Sequence, residues 1–322
     1  MSFRQTTVAG LPALALRSDL LELVVAPSVG MRITNLRRHR GREWLWHNPD
    51  IPLAPPRRGA SYVETADSGG WDECFPTVAP CRLPGSEPPV ELPDHGELWQ
   101  AVWTASVYDH VGGTTLLAAA RGTLLPYEFT REVTLDPHEP VVRFRYRLAH
   151  TGGAAFPWIW SSHPLLTVQP GSTLELGGVT QVRVDASHGR PDLERGDIVS
   201  WPGAIGGAAD RFTFPEPAGW ALKLFADTGA AAPLRLTDPV RGERLEITTA
   251  LGDVPQVGIW INAAGWGPTP ASSRYYNLAL EPCIGAPDSL ADAVTSWGTA
   301  QMLAAGEERV WGIDVAVLEE DE

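Results

Sequence analysis

The sequence predicts an all-β chain folded as a single large antiparallel domain. Glycine and proline number 32 and 29 among 322 residues and follow no collagen-like period, which favours many turns over long helices. Apolar residues come in short runs separated by those turns, at the spacing of a sandwich. One run, Val141 to Leu148, alternates strictly, with Val142, Phe144, Tyr146 and Leu148 on one face and Arg143, Arg145 and Arg147 on the other. That is the pattern of a half-buried strand in an antiparallel sheet, its arginines forming a solvated face.

In chain order, Leu20 to Ala26 reads as a strand rich in branched residues and halted by Pro27. Gly30 to Leu36 reads as a second strand and Glu43 to Trp46 as a third, so the chain opens as a meander. Trp99 to Val107 alternates and meets Gly112 and Gly113; strands follow over Thr114 to Ala120, Tyr127 to Leu135 and Val141 to Leu148. Segments 172–184, 220–226, 233–249, 256–262, 274–281 and 309–318 continue the theme, and Leu290 to Ala305 has helical character broken at Trp297 and Gly298. No fixed-period repeat, low-complexity tract or linker divides the chain. One domain is therefore expected over residues 1–318, with a solvated acidic tail at 319–322.

Composition narrows the function. The formal net charge is −14 and Lys223 is the only lysine, so no basic stripe exists to neutralise phosphates and nucleic-acid binding is not expected. No apolar run approaches the ~18 residues of a membrane helix, and Met1 to Gln5 shows no secretory core, so a cytoplasmic location without membrane contact is expected. Cys74, Cys81 and Cys283 are an odd number of thiols, which argues against a disulfide framework.

The stretch from Gly69 to Trp99 differs from its surroundings. It crowds Trp71, Asp72, Glu73, Cys74, His95, Glu97 and Trp99 among glycines and prolines with no clean apolar period. Costly aromatics beside titratable groups on a loop are how a rigid scaffold usually carries a site. Two other settings stand out. His163 follows the aromatic run Phe156 to Trp160 and precedes Pro164, which biases it toward extended backbone at a strand end. Glu281 interrupts the apolar run Tyr275 to Cys283, and a carboxylate there must face a cleft or hold specific partners. A His and a Glu in a pocket walled by aromatics suit sugar chemistry, because sugar rings stack on tryptophan faces while charged groups bind hydroxyls. The chain has 13 tryptophans, and Trp71, Trp99, Trp158, Trp160, Trp260 and Trp266 all lie near these segments.

Competing constellations are weaker. Cys74, Cys81 and His95 could join a metal site, but no C-x-x-C or H-E-x-x-H is present, so neither metal nor cofactor is expected. There is no G-x-S-x-G elbow, and Gly203 to Gly207 lacks the Lys-Ser/Thr of a phosphate loop. Asp72 or Glu97 with Glu281 could form a glycosidase carboxylate pair.

His95-Gly96 in the first loop, His163 after a strand and Glu281 in the C-terminal strand, in that order, resemble the aldose 1-epimerase family of galactose mutarotase-like proteins. The run Gly30 to Ile33 resembles that family's opening strand. The resemblance implies a large antiparallel β-supersandwich that interconverts the α and β anomers of a free hexose or related aldose without a cofactor. It implies that Glu281 takes the proton from the C1 hydroxyl, that His163 protonates the ring oxygen, and that His95 binds near the ring oxygen and C6. Trp71, Asp72, Glu73, Glu97, Trp160, Trp260 and Arg32 are then the candidates for sugar binding. The chain departs from the family in having Ser162 before the second histidine and Pro164-Leu165-Leu166 after it. A non-catalytic sugar-binding module on the same scaffold is the alternative, as is action on a hexose 6-phosphate through Arg32, Arg57 or Arg58.

Overall fold

The computed structural model describes residues 2–228, 233–249, 254–269 and 272–319. Most of their strands form two antiparallel sheets. The larger, 11-stranded sheet orders its strands Ser2–Val8, Leu11–Arg17, Leu21–Ala26, Arg32–Arg38, Trp71–Cys74, Trp160–Thr167, Tyr276–Ile284, Gln256–Ala263, Trp220–Asp227, Gln181–His188 and Ile198–Ser200. The 9-stranded sheet is centred on Glu308–Leu318, Val141–His150 and Tyr127–Leu135 and ends at the exposed edge strand Thr104–His110. A single apolar cluster draws on both sheets, so the fold is the expected sandwich. No described helix is long and apolar enough to cross a membrane.

The Val141–His150 strand shows why the alternation mattered. Val142, Phe144, Tyr146 and Leu148 are buried in the core. On the other face Arg143 pairs with Asp136 at 2.5 Å and Arg145 with Asp314 at 2.8 Å, while Arg147 pairs with Glu308.

Some boundaries depart from the sequence reading, each for a local reason. Two further strands, Ser2–Val8 and Leu11–Arg17, precede the predicted opening. The second predicted strand starts at Arg32 because Gly30 and Met31 both take positive φ. Glu43 to Trp46 is no ladder strand: the Glu43 carboxylate accepts from the backbone N–H of Leu36 at 2.8 Å and of Leu45 at 3.0 Å, bending the chain so that only Leu45 bridges the sheet. Trp99 to Val107 likewise opens as a 3₁₀ turn, Leu98–Gln100, with the Trp99 and Trp103 indoles donating to the carbonyls of Asp94 and Leu98. The expected break at Gly298 is present as a left-handed cap on a short helical segment. Of the acidic tail, 320–322 lie outside the described residues, and Glu319 lies 3.3 Å from Arg38.

Candidate active site

The centre of the 11-stranded sheet aligns the chemistry across neighbouring strands. Asp72 is registered opposite His163 on the next strand. Beyond it, the pairs Ser161↔Cys283 and Leu165↔Ala279 bracket His163 against Glu281. Glu281 in turn faces Gly258, where an added Cβ would come 3.2 Å from its carboxylate, so glycine leaves the room the side chain occupies. Because strand side chains alternate, Asp72, Cys74, Ser161, His163, Glu281 and Lys223 share the face turned away from the second sheet. The intervening residues face the core.

That parity separates the candidates. Trp71 packs on Phe144 with ring centroids 4.6 Å apart, and Trp160 packs on Tyr146 at 4.8 Å and on Trp311 at 5.1 Å. Glu73 lies between the sheets, held by Arg131 at 3.2 Å, the Tyr146 hydroxyl at 3.0 Å and the Trp160 indole at 2.9 Å. Burial pushes its carboxyl up to about 7. Trp71, Glu73 and Trp160 therefore build the sandwich interior and do not reach the polar face. Glu97 is also elsewhere: one carboxylate oxygen accepts from the backbone N–H groups of Thr123 and Leu124 and from the Thr123 hydroxyl. Asp72 and Arg32 do belong to the polar face, as a closed clasp. Arg32 Nη2 lies 2.5 Å and Nε 2.9 Å from Asp72, while Nη1 donates to Ser68 Oγ and to the carbonyls of Ala66 and Gly69. The Tyr62 hydroxyl donates to Asp72 at 2.6 Å. Both members are buried and spent on protein partners, so neither is free to bind a sugar hydroxyl. With Asp72 and Glu97 committed, no free glycosidase pair forms with Glu281.

Glu281 has 0% exposure. Lys223 Nζ donates to both of its oxygens at 2.7 Å, and Ser161 Oγ donates at 3.1 Å. Lys223 also lies 3.1 Å from Asp288. Burial alone would raise the Glu281 carboxyl; the Lys223 ammonium outweighs it and holds the group ionised below its ordinary range. His163 Nε2 stands 3.9 Å from Glu281 Oε1. Burial lowers the His163 imidazole to about 4 against the pull of Glu281, so its ring is neutral at physiological pH.

His95 comes over this floor from the first loop. Its φ of 58° is left-handed, a strained setting for a residue with a Cβ. Gly96 fixes that turn: its φ is +70° and an added Cβ would lie 2.0 Å from the Phe75 carbonyl oxygen. Gly96→Ala is expected to lower stability by about 2–3 kcal/mol, read as a fall in urea midpoint, because the backbone itself must move. His95 Nδ1 meets Asp94 at 2.8 Å, the Tyr62 ring stacks on the imidazole at 3.9 Å, and the two histidine rings meet edge to face at 5.1 Å. Burial disfavours the His95 cation, but Asp94 outweighs it and raises the ring above its ordinary value. Trp260, registered opposite Lys223 and half-buried, forms an aromatic wall beside this floor.

Asp67 lies beside the clasp, accepting from the Gly69 N–H. Burial lifts its carboxyl to about 6 despite the nearby Arg32. The folded protein therefore keeps a proton that the unfolded chain has already lost above pH 3.8, so stability falls as pH rises from there to about 6. The loss is on the order of 3 kcal/mol, from 1.36 kcal/mol per pH unit. Asp67→Asn is expected to abolish this slope and to be the more stable protein at pH 7, checked by urea unfolding across that range.

A cavity of about 1080 Å³ lies elsewhere. It is an open groove beside the edge strand, lined by Arg58, Val102, Leu124 and Glu128 among others, and contains neither histidine. The concentration of buried, mutually perturbed ionisable groups marks the site better than volume does.

Several solved structures similar to this chain carry the same architecture. A protein of Synechocystis shares 16% identity with a TM-score of 0.68, covering 98% of this chain and 98% of its own. A galactose mutarotase-related enzyme from Lactobacillus acidophilus shares 16% identity with a TM-score of 0.66, covering 96% of this chain and 98% of its own. A galactose mutarotase-like protein from Lactobacillus casei shares 17% identity with a TM-score of 0.65, covering 95% of this chain and 100% of its own. The scaffold is a galactose mutarotase-like β-sandwich. No protein-family model and no curated protein matches the chain.

Of the residues singled out in the sequence, the structure brings His95, His163, Glu281, Asp72 and Arg32 to one face; Lys223, Tyr62, Asp94 and Asp288 lie beside them and were not among the candidates. The signal for Lys223 was available: a chain's sole lysine inside the apolar run Ala221 to Phe225 must have a buried partner.

Proposed function

We propose that the protein is a mutarotase, equilibrating the α and β anomers of a free aldose by acid and base catalysis. The observation that supports this best is an ionised carboxylate, Glu281, 3.9 Å from a neutral imidazole, His163, on the floor of one polar face. Ring opening requires a base for the C1 hydroxyl and a hydrogen-bond donor at the ring oxygen of the same acetal centre. Glu281 takes the hydroxyl proton as the bond from C1 to the ring oxygen breaks, the His163 N–H steadies the charge on that oxygen by a hydrogen bond, and the proton held by Glu281 then passes to it, leaving both side chains as they began. Rotation about C1–C2 and reversal of these steps close the other anomer, with no net consumption of protons. A neutral imidazole suits the donor role in a dry site, since it polarises an oxygen without a buried cation. For the C1 hydroxyl to reach Glu281, the Lys223 ammonium yields one carboxylate oxygen and leans on Asp288, which it already touches.

The substrate is an uncharged sugar on this reading. Asp67 and Asp72 lie beside Arg32, Glu281 and Asp288 lie beside Lys223, and Asp94 lies beside His95, so both cations are already paired, and Arg57 and Arg58 are exposed on the loop outside this floor. A phosphate would meet net negative charge. The test is anomeric exchange by NMR with freshly dissolved α-D-glucose and α-D-galactose. Acceleration proportional to protein concentration is the expected result.

The double clamp of Lys223 on Glu281 favours a second reading, a sugar-binding module without turnover. It predicts that sugar raises the melting temperature while the anomers equilibrate at the buffer rate.

A further inference from the structure

Cys74 takes no part in the proposed chemistry, yet it lies on the same face. Its sulfur and one ring nitrogen each from His95 and His163 all lie within 4.8 Å of one another, in the one such group among the described residues. All three residues are buried, and Cys74 is a free thiol. We infer that Cys74, His95 and His163 form a three-ligand site for a thiophilic divalent metal, zinc above all, which seals the catalytic face when it binds.

Three independent features support the inference. The donor set is the borderline-soft combination that zinc takes, and three protein ligands with one open position is the arrangement of an accessible zinc ion. In tetrahedral zinc the ligand atoms stand roughly 3.3–3.6 Å apart, so convergence by about an ångström closes the site. Second, His163 is 8% exposed and its Nδ1 is buried with no hydrogen-bond partner, a polar ring poorly satisfied by the protein alone. Third, His95 already holds the carboxylate partner that zinc-bound histidines use: Asp94 accepts from Nδ1 at 2.8 Å, which fixes the ring and leaves Nε2 free. The surplus of carboxylates noted above favours an arriving cation. On binding, the Zn–S bond forms and the thiol proton leaves to solvent, with no change of oxidation state.

Occupancy ties up both imidazoles, so zinc inhibits anomer exchange; this consequence rests on the mutarotase reading, whereas the metal site itself does not. The test begins with Co²⁺ added to reduced protein. The expected result is one equivalent bound with a thiolate-to-cobalt charge-transfer band, displaced by zinc, and both signals are independent of any activity. Cys283→Ser should keep the band. Cys74→Ser and His163→Ala should each lose it and weaken zinc at least tenfold against a chromophoric chelator. The absence of a thiolate band in the wild-type protein overturns the inference, and so does zinc binding of equal strength in folded Cys74→Ser. In the activity arm, zinc should slow wild-type exchange and leave Cys74→Ser, active without metal, unaffected. A protein that binds cobalt through Cys74 but shows no exchange with any sugar overturns the mutarotase reading while the metal site stands.

Discussion

Lys223→Met is expected to lower the unfolding free energy by about 3–5 kcal/mol at neutral pH, the scale for breaking a buried ion pair from one side. Lys223 is 5% exposed and Glu281 is fully buried, so solvent replaces nothing that is lost. Without the ammonium, Glu281 keeps only the Ser161 hydroxyl as a donor. The sign of the pH dependence should also reverse. In the wild-type protein the Glu281 carboxyl is held below its ordinary 4.5, so the pair contributes stability above that pH and loses it as pH falls through the lowered value. In the variant, burial is opposed only by the Ser161 hydroxyl and His163 and raises the carboxyl; the folded chain then binds a proton that the unfolded chain lacks, and stability falls as pH rises above 4.5. Urea unfolding at acid and neutral pH measures both, with a gap that widens toward neutral pH. The double variant Lys223→Met with Glu281→Gln removes both charges and should recover much of the loss. A single-variant cost below 1 kcal/mol would mean that the pair does not hold this face together.

The same pair marks where sequence legibility ended. The alternation at Val142, Phe144, Tyr146 and Leu148 was readable because that strand has one wet and one dry face. Trp71 to Cys74 is buried on both faces, so polarity gives no parity, and Asp72 could not be told from Glu73 by pattern alone. One residue of offset sends Asp72 to the polar face and Glu73 into the sandwich among Arg131, Tyr146 and Trp160. Trp160 follows the same parity as Glu73, which is why an aromatic that looked like a sugar platform is core. His95, His163 and Glu281 were legible because each is a titratable group set against a turn, a proline or an apolar run. The contacts of Tyr62 were not, since a residue opening the one-turn helix Tyr62–Thr65 and stacking on His95 from a distance in sequence leaves no periodic trace.

Glu281→Gln should slow anomer exchange at least about 100-fold, the lower end of what a positioned acid or base contributes. Glutamine keeps the shape and still accepts from Ser161, but its amide cannot take a proton from the C1 hydroxyl at any accessible pH. Lys223 retains Asp288 as a partner, so the fold should survive better than with the lysine removed. His163→Ala should also slow exchange, and a cycle combining the two should fall short of the product of the single losses, because both groups act on one bond-breaking event. Polarimetry gives the rates, and the melting temperature with and without sugar shows whether the face still binds. A Glu281→Gln protein that equilibrates anomers at the wild-type rate removes the base from the mechanism. If no variant changes the rate because the wild-type protein adds nothing to the buffer rate, while sugar still raises the melting temperature, the Lys223 clamp is the reason: a carboxylate held by an ammonium on both oxygens binds a hydroxyl without deprotonating it.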